Sequence, residues 1–310
     1  MNFNKIDCPK YIIKILLIFL LILIFILIIK HFNKNKIKVC ICTVGKEENK
    51  YIREFIAHYK KIGIDKIFLY DNNDINNERF EPVIQDYIKD NYVQIFNVRG
   101  KTAKQLRIYR HCYRRNNKYY NWLVFYDIDE YINLKNIKNI KDFLNMKQFE
   151  KCQSIYLNWI KHTDNNLLFY DNRTLKERFP DTFKSKRYCL GKTIIRGNII
   201  QLRIKSTHVL DKNIVNCNGF GETLKLKSKF CRKPDLKYYY IDHYEYKSLE
   251  EFIDKINKGD CLFGYGINRK LGRIHRYFKY NNITLKKFKF MQEKINLNIT
   301  QFMKYIKYKY

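Results

Sequence analysis

The chain has 310 residues, a net charge of +31, 46% hydrophobic and 16% aromatic side chains. That composition excludes a disordered polymer, and the length is enough for one large domain or two small ones with a substantial core. The excess of 61 Lys and Arg over 30 Asp and Glu points to anionic partners or to a general Lys/Asn/Ile/Tyr bias, since the lysines are scattered and form no long block.

Residues 11–30, "YIIKILLIFLLILIFILIIK", approach the roughly 20 apolar residues that a bilayer core requires. The run ends in "IIKHFNKNKIK" and not in small residues, so it reads as an uncleaved anchor. Lys5, Lys10 and Lys14 precede it and Lys30, Lys34, Lys36 and Lys38 follow it, so flanking charge leaves the orientation open. The expected layout is a tail at 1–10, a transmembrane signal-anchor helix at 11–30, a basic stalk at 31–37, one α/β domain at 38–280 and a C-terminal helix within 281–310.

From Ile37 the pattern alternates. "IKVCICTV" reads as a buried strand and "KEENKYIREFIAHYKKIG" as an amphipathic helix closed by Gly63. "DKIFLYDNN" and "YVQIFNV" are further strands, with helices expected across "RFEPVIQDYIKD" and "KQLRIYRHCYRRN". "NWLVFYDID" is a fourth strand, and "SIYLNWI", "IIQLRIKSTHV" and "YYYIDHYEY" are later ones. Helices are expected at "SLEEFIDKINK" and from about Leu285 onward. Continuously apolar strands alternating with helices predict a mostly parallel central sheet flanked by helices.

Nine cysteines cannot all pair within one chain, and no CxxC occurs, so a zinc site lacks its usual spacing. In an oxidising lumen some of Cys152, Cys189, Cys217, Cys231 and Cys261 are expected to be bridged; the spacing leaves the pairing open.

The fourth strand runs into Asp127, Asp129 and Glu130. On an extended backbone Asp127 and Asp129 point to one side, where they repel unless a cation lies between them. At the carboxyl end of a parallel strand, hard oxygen ligands of this kind suit Mg²⁺ or Mn²⁺ carrying a diphosphate. A D-x-D triplet is weak alone and is often a solvated turn; its position after a buried strand strengthens it. Asp71, at the end of the second strand, can meet a nucleoside or simply close an Asn/Asp turn.

Three blocks in order, "TVGKEENKYIREFIAHYKKIGIDKIFLYDNN", "KQLRIYRHCYRRNNKYYNWLVFYDIDEYI" and "IDHYEYKSLEEFIDKINKG", resemble the family-2-like and family 92 glycosyltransferases with a GT-A fold. The likeness runs from about Val39 to Gly259. It departs at the opening turn, which reads Glu-Glu-Asn where the family has Asn-Glu, and at the acceptor loop, which reads "KHTDNN". The resemblance implies a GT-A-like single domain in which Thr43, Glu47 and Asp71 line the nucleotide pocket. Asp127 and Asp129 would hold the metal and diphosphate, with Glu130 steadying the turn. His243 would complete the metal site, with His208 its rival, and Lys184, Lys192 and Lys247 are candidates to pair with phosphate.

Inverting transfer also needs a base on the acceptor hydroxyl, for which Asp164 and Glu177 are the nominees in the irregular region after "LNWI". The leading expectation is a metal-dependent, hexosyltransferase-type enzyme using Mn²⁺ or Mg²⁺. It would move a sugar from a nucleotide-sugar donor, UDP-linked, to a glycan or glycoprotein. The enzyme would be anchored as a type II protein with its domain in the ER or Golgi lumen, with no nucleic-acid partner. Sequons at Asn172, Asn282 and Asn298 would permit glycosylation there. Two alternatives stand beside it: a membrane-tethered basic module for nucleic acid or anionic lipid, and an inactive glycosyltransferase-like protein.

Overall fold

The computed structural model describes residues 15–25, 37–101, 105–183, 190–200, 202–206, 208, 211, 213–224, 236–258, 267–282 and 284–295. The chain divides into two units, Met1–Ile37 and Lys38–Tyr310. In the first, residues 15–25 form helix α1, exposed all round. Eleven residues span only about 17 Å at 1.5 Å per residue. No helix among the described residues is long and apolar enough to cross a membrane. The rest of the expected anchor, 11–14 and 26–30, lies outside the described residues.

The second unit is built on a mixed sheet. Strand β1 (Val39–Gly45) is buried throughout because it has a parallel neighbour on each side, β2 (Lys66–Asp71) and β4 (Trp122–Val124). Strand β3 (Val93–Asn97) extends the parallel half from β2. Beyond β4 the sheet is mixed: β8 (Gly191–Arg196) runs antiparallel to both β4 and β6 (Ser154–His162). β10 (Tyr239–His243) is parallel to β6 and antiparallel to β5 (Glu130–Leu134). The path is β3-β2-β1-β4-β8-β6-β10-β5, with the short strands β7 (Thr182–Phe183) and β9 (Asn216–Cys217) attached to β6. The α/β character and the mostly parallel sheet expected from the alternation are present, with the antiparallel pairings made by β8, β5 and β7.

Helix α2 (Asn49–Lys61) buries Tyr51, Ile52, Phe55, Ile56 and Tyr59 on one stripe. Each large side chain so buried contributes about 1.5–3 kcal/mol. Its last turn carries Lys60 and Lys61, cations that suit the negative end of the helix dipole. Gly63 ends it at φ +93, a left-handed conformation natural to glycine. α2 also completes the border of the sheet. Tyr59 Oη donates to Glu130 O at 2.8 Å and accepts from Ile132 N at 3.1 Å, while His58 Nε2 lies 3.1 Å from Ile132 O. Two side chains thereby take the polar backbone groups of β5 that no strand covers.

Burial pushes the His58 imidazole down to about 4 from 6.5. The unfolded chain therefore binds a proton there first, and stability is expected to fall as pH drops from 6.5 towards 4, by about 3 kcal/mol across the window. Urea midpoints at pH 7 and pH 5, compared between wild type and His58→Gln, check this; a pH dependence unchanged in the variant refutes it.

Helix α3 (Gln85–Lys89) is much shorter than the helix expected over 79–90, with Pro82 disfavouring helical backbone just before it. Helix α4 (Gln105–Asn116) packs Ile108, Tyr109, Cys112 and Tyr113 onto β1, β2 and β4. A disulfide, Cys42–Cys112, fastens it to β1, and a second, Cys152–Cys217, joins the start of β6 to β9. Cys40 is buried and free; Cys189, Cys231 and Cys261 lie outside the described residues. Short helices α5 (Ile140–Leu144) and α6 (Leu175–Arg178) follow. Helices α7 (Leu249–Lys258), α8 (Ile267–Tyr280) and α9 (Leu285–Ile295) share a core that includes Phe252, Ile256, Ile274, Tyr277 and Met291.

Among the described residues of 199–209 the expected strand does not form. Its described residues are irregular, with Ile199, Leu202 and Ile204 packed against the α4 core. β8, just upstream, takes the place in the sheet.

Candidate active site

The carboxyl ends of β1, β2 and β4 lie together, since Gly45 is level with Asp71 and β4 pairs β1 in register. Space at Gly45 is tight: a Cβ would stand 2.5 Å from Ile128 Cδ1 and 2.7 Å from the Phe80 ring, so those side chains would have to shift. β4 stops at Val124, and the chain turns at 127–130, where Glu130 N donates to Asp127 O at 3.1 Å. Glu130 Oε2 accepts from Asp127 N at 3.1 Å, so Glu130 steadies that turn.

The turn sends the two aspartates to different partners. Asp127 Oδ1 accepts from Gln105 Nε2 at 2.8 Å and Tyr109 Oη at 3.0 Å, both from α4, and Oδ2 meets Lys192 Nζ at 2.8 Å. Its side chain is one-third exposed at 34%. Lys192, on β8, is fully buried and also lies 3.4 Å from Glu130 Oε2. Burial works against its charge, but Asp127 and then Glu130 hold the ammonium well above its usual range.

Asp129 is buried, with Lys255 Nζ of α7 at 2.6 Å from Oδ2 and His243 Nε2 at 3.6 Å from Oδ1. Burial again opposes ionisation, yet Lys255 and then His243 keep this carboxyl well below its ordinary range. His243 comes to the spot through register, since it pairs with Glu130 across β10 and β5. One donor atom each from Asp129, Glu130 and His243 lie within 4.8 Å of one another, all three residues buried. Glu130 Oε1 and His243 Nδ1 are buried without a hydrogen-bond partner among the described residues. Two carboxylates and an imidazole, with one donor atom of Glu130 and one of His243 orphaned, fit a divalent cation such as Mn²⁺.

Five lysines and five carboxylates interleave around this triad. Lys258 Nζ reaches Glu48 Oε1 at 2.7 Å and the carbonyls of Lys46 and Glu47 at 2.7 and 3.0 Å. Lys247 is buried over the Tyr51 ring, 3.8 Å from its centroid and 3.6 Å from Glu48 Oε2. Lys161 pairs with Glu245 at 2.5 Å. Together with Lys192 and Lys255 these cations face Glu48, Asp127, Asp129, Glu130 and Glu245, of which burial pushes the Glu130 carboxyl well above its usual range.

The other expected site residues are placed as follows. Thr43 lies on β1 with its buried Oγ1 lacking a partner among the described residues. Glu47 takes φ +53 in the turn after β1, held by Asn77 Nδ2 at 2.8 Å on its carboxylate and by Asn73 Oδ1 at 2.6 Å from its N–H. Asp71 is buried against Arg99 Nη1 at 2.9 Å, and Arg99 binds four carbonyls of the 74–78 loop. His208 stands against Trp159, ring centroids 5.2 Å apart, while His243 contacts the same indole at 4.2 Å. His208 Nδ1 lies 3.1 Å from Gly191 O, and His208 is outside the Asp129–Glu130–His243 grouping. Asp164 is buried against Lys287 Nζ at 2.7 Å and the Tyr277 hydroxyl. Glu177 forms a capping box with Thr174 at the start of α6. Lys184 lies outside the described residues.

Lys255, Lys258, Glu48, Tyr109 and Trp159 were not singled out from sequence. The two lysines sit inside "EEFIDKINKG", a block noted for its likeness but read only as a helix.

A family model for glycosyltransferase family 92 matches residues 35–260. The chain belongs to glycosyltransferase family 92. It is 24% identical over 236 residues to a family 92 protein of Oryza sativa subsp. japonica, covering 74% of this chain and 36% of that one. A family 92 protein of Ricinus communis is 27% identical over 105 residues, 34% of this chain and 19% of that protein. The chain thus spans about a third or less of these relatives' length. Among solved structures, S. aureus TarS 1–349 in complex with UDP-GlcNAc aligns with a TM-score of 0.39 at 12% identity, covering 87% of this chain and 81% of TarS. A mannosyltransferase from Pyrobaculum calidifontis in complex with GDP-Man and Mn²⁺ aligns over 39% of this chain and 35% of its own, with a TM-score of 0.30 at 8% identity.

Proposed function

We propose that this family 92 glycosyltransferase is a hexosyltransferase of GT-A type that inverts at the sugar carbon. It takes a UDP-linked sugar to a glycan or glycoprotein acceptor, with Mn²⁺ or Mg²⁺ held by Asp129, Glu130 and His243. The observation that carries this reading is the buried triad with two orphaned donor atoms at the carboxyl end of β4. A bound dication neutralises charge that develops on a departing diphosphate.

The chain's own residues do the rest. Lys255 keeps Asp129 ionised and Lys192 fixes the side chain of Asp127 at the mouth of the site. Lysines and carboxylates already face one another here, and a sugar-linked diphosphate together with a dication adds no net charge to that buried network, which avoids the cost of an unpaired buried ion. Gln105 and Tyr109 hold Asp127 from the opposite side.

Two disulfides favour an oxidising compartment. With the apolar run at 11–30, they support a type II arrangement in which 31–37 is a stalk and the domain faces the ER or Golgi lumen.

The test is a calorimetric titration of the full chain with UDP, in Mn²⁺ and in EDTA, followed by a donor-hydrolysis screen across nucleotide sugars. We expect UDP affinity to fall at least about tenfold without the metal. Equal affinity in both buffers overturns the metal-dependent reading.

A further inference from the structure

The outer face of α4 is built almost wholly of cations. Its inner face is buried, Gln105 and Tyr109 reaching Asp127 and Cys112 bonded to Cys42. Facing out are Arg107, Arg110, His111, Arg114 and Arg115, all exposed. They surround a concavity of about 560 Å³. A second of about 280 Å³ shares Arg110 and Arg114 with it and is closed by Arg203 and Lys205, so the two form one groove. Arg110 Nε donates to Ile204 O at 2.9 Å, which ties the 202–205 segment to the helix.

Arg107, Arg110 and Arg114 stand three and four residues apart, where like charges weaken a helix. No carboxylate among the described residues forms an ion pair with these arginines, Arg203 or Lys205, whereas the exposed Arg53 and Arg173 each have one. The fold therefore gathers like charges here with no neutralising carboxylate among the described residues, Arg115 resting over the Phe96 ring and His111 meeting the Tyr70 hydroxyl, on a helix tied to β1 by a disulfide. Both walls of the groove belong to segments that also carry residues of the site region. α4 supplies Gln105 to Asp127, and the 202–205 segment leads to His208 against Trp159.

We propose that this groove binds an anionic glycan, a saccharide chain bearing sulfate, phosphate or carboxylate groups, and presents it to the active site as acceptor. The acceptor role rests on the glycosyltransferase reading above; the binding does not. Three classes of polyanion could match the charge, and two observations choose among them. The disulfides favour a compartment without nucleic acid, and on the side of a membrane away from the anionic cytoplasmic leaflet. A run of open concavities between the arginine side chains and the 202–205 segment suits a chain laid along it.

The test uses the full chain and heparin as the probe. We expect the combined Arg107→Gln, Arg114→Gln and Arg115→Gln variant to bind heparin about thirtyfold more weakly and with a shallower salt dependence. Its UDP affinity in Mn²⁺ and its thermal midpoint are expected to be unchanged. Because the whole chain carries +31, a control variant, Lys135→Gln with Lys147→Gln and Lys151→Gln, removes equal charge elsewhere and is expected to keep heparin affinity within about threefold. Equal losses in the two variants, or no loss in the first, overturn the proposal. Tighter binding of RNA or of phosphatidylserine vesicles than of heparin overturns it in favour of those partners. Absence of UDP binding in every variant would count against the catalytic reading while leaving the heparin result to stand or fall alone.

Discussion

Asp129→Asn is expected to reduce sugar transfer by about a thousandfold while the chain stays folded. The substitution keeps the volume of the side chain and an oxygen for Lys255, so packing around α7 is preserved. What it removes is a buried negative charge that Lys255 and His243 hold ionised. Loss of one electrostatic group in a desolvated site costs about a hundred- to a thousandfold, and loss of a metal ligand adds to it. Asp127→Asn is expected to do less, about ten- to a hundredfold, with Mn²⁺ affinity retained. Asp127 is outside the triad and its oxygens already have three donors. Turnover and calorimetric Mn²⁺ affinity, measured on both variants, separate the two. Identical losses of metal affinity would mean that the aspartates act as one ligand pair.

Lys287→Met should lower stability by about 3–5 kcal/mol, the cost of leaving a buried charge without its partner. Lys287 and Asp164 are each 2% exposed and 2.7 Å apart. With the Tyr277 hydroxyl and the Asn281 side chain, which accepts from Asp164 N at 2.7 Å, the pair fastens α8 and α9 to the loop after β6. Asp164→Asn is expected to destabilise similarly, and the double variant to lose less than the two single losses combined. Thermal and urea unfolding measure this. Turnover decides the other role suggested for Asp164: activity per folded molecule should survive in Asp164→Asn, and its abolition there but not in Lys287→Met would make Asp164 the base.

The fold was legible where local pattern and burial agree. β1, β2 and β3 are apolar runs between helices, and α2 and α4 carry clean stripes, so both kinds of element stand close to their expected limits. β8 was missed because "GKTIIR" has a lysine where a buried strand should be apolar. Lys192 is tolerated only because Asp127 and Glu130, distant in sequence, surround it. The 199–209 segment has the alternation of a strand, but Ile199, Leu202 and Ile204 pack into the α4 core from irregular backbone. The Cys42–Cys112 bridge joins residues 70 apart, a pairing that no spacing rule reveals.

The site was half legible for a related reason. Alternation along a strand places Asp127 and Asp129 on one side, but the ladder stops at Val124 and the turn at 127–130 breaks the period. Asp129 is thereby grouped with its neighbour Glu130 and with His243, a residue brought over by strand register. Carboxylates after a buried strand could be read from the chain; their division of labour depends on Lys192 and Lys255, which arrive from other elements.

Tyr59 and His58 cover the polar groups along the outer side of β5. A second molecule therefore finds no open ladder on which to add a strand at that end, so the protein resists polymerising through β5 even at high concentration.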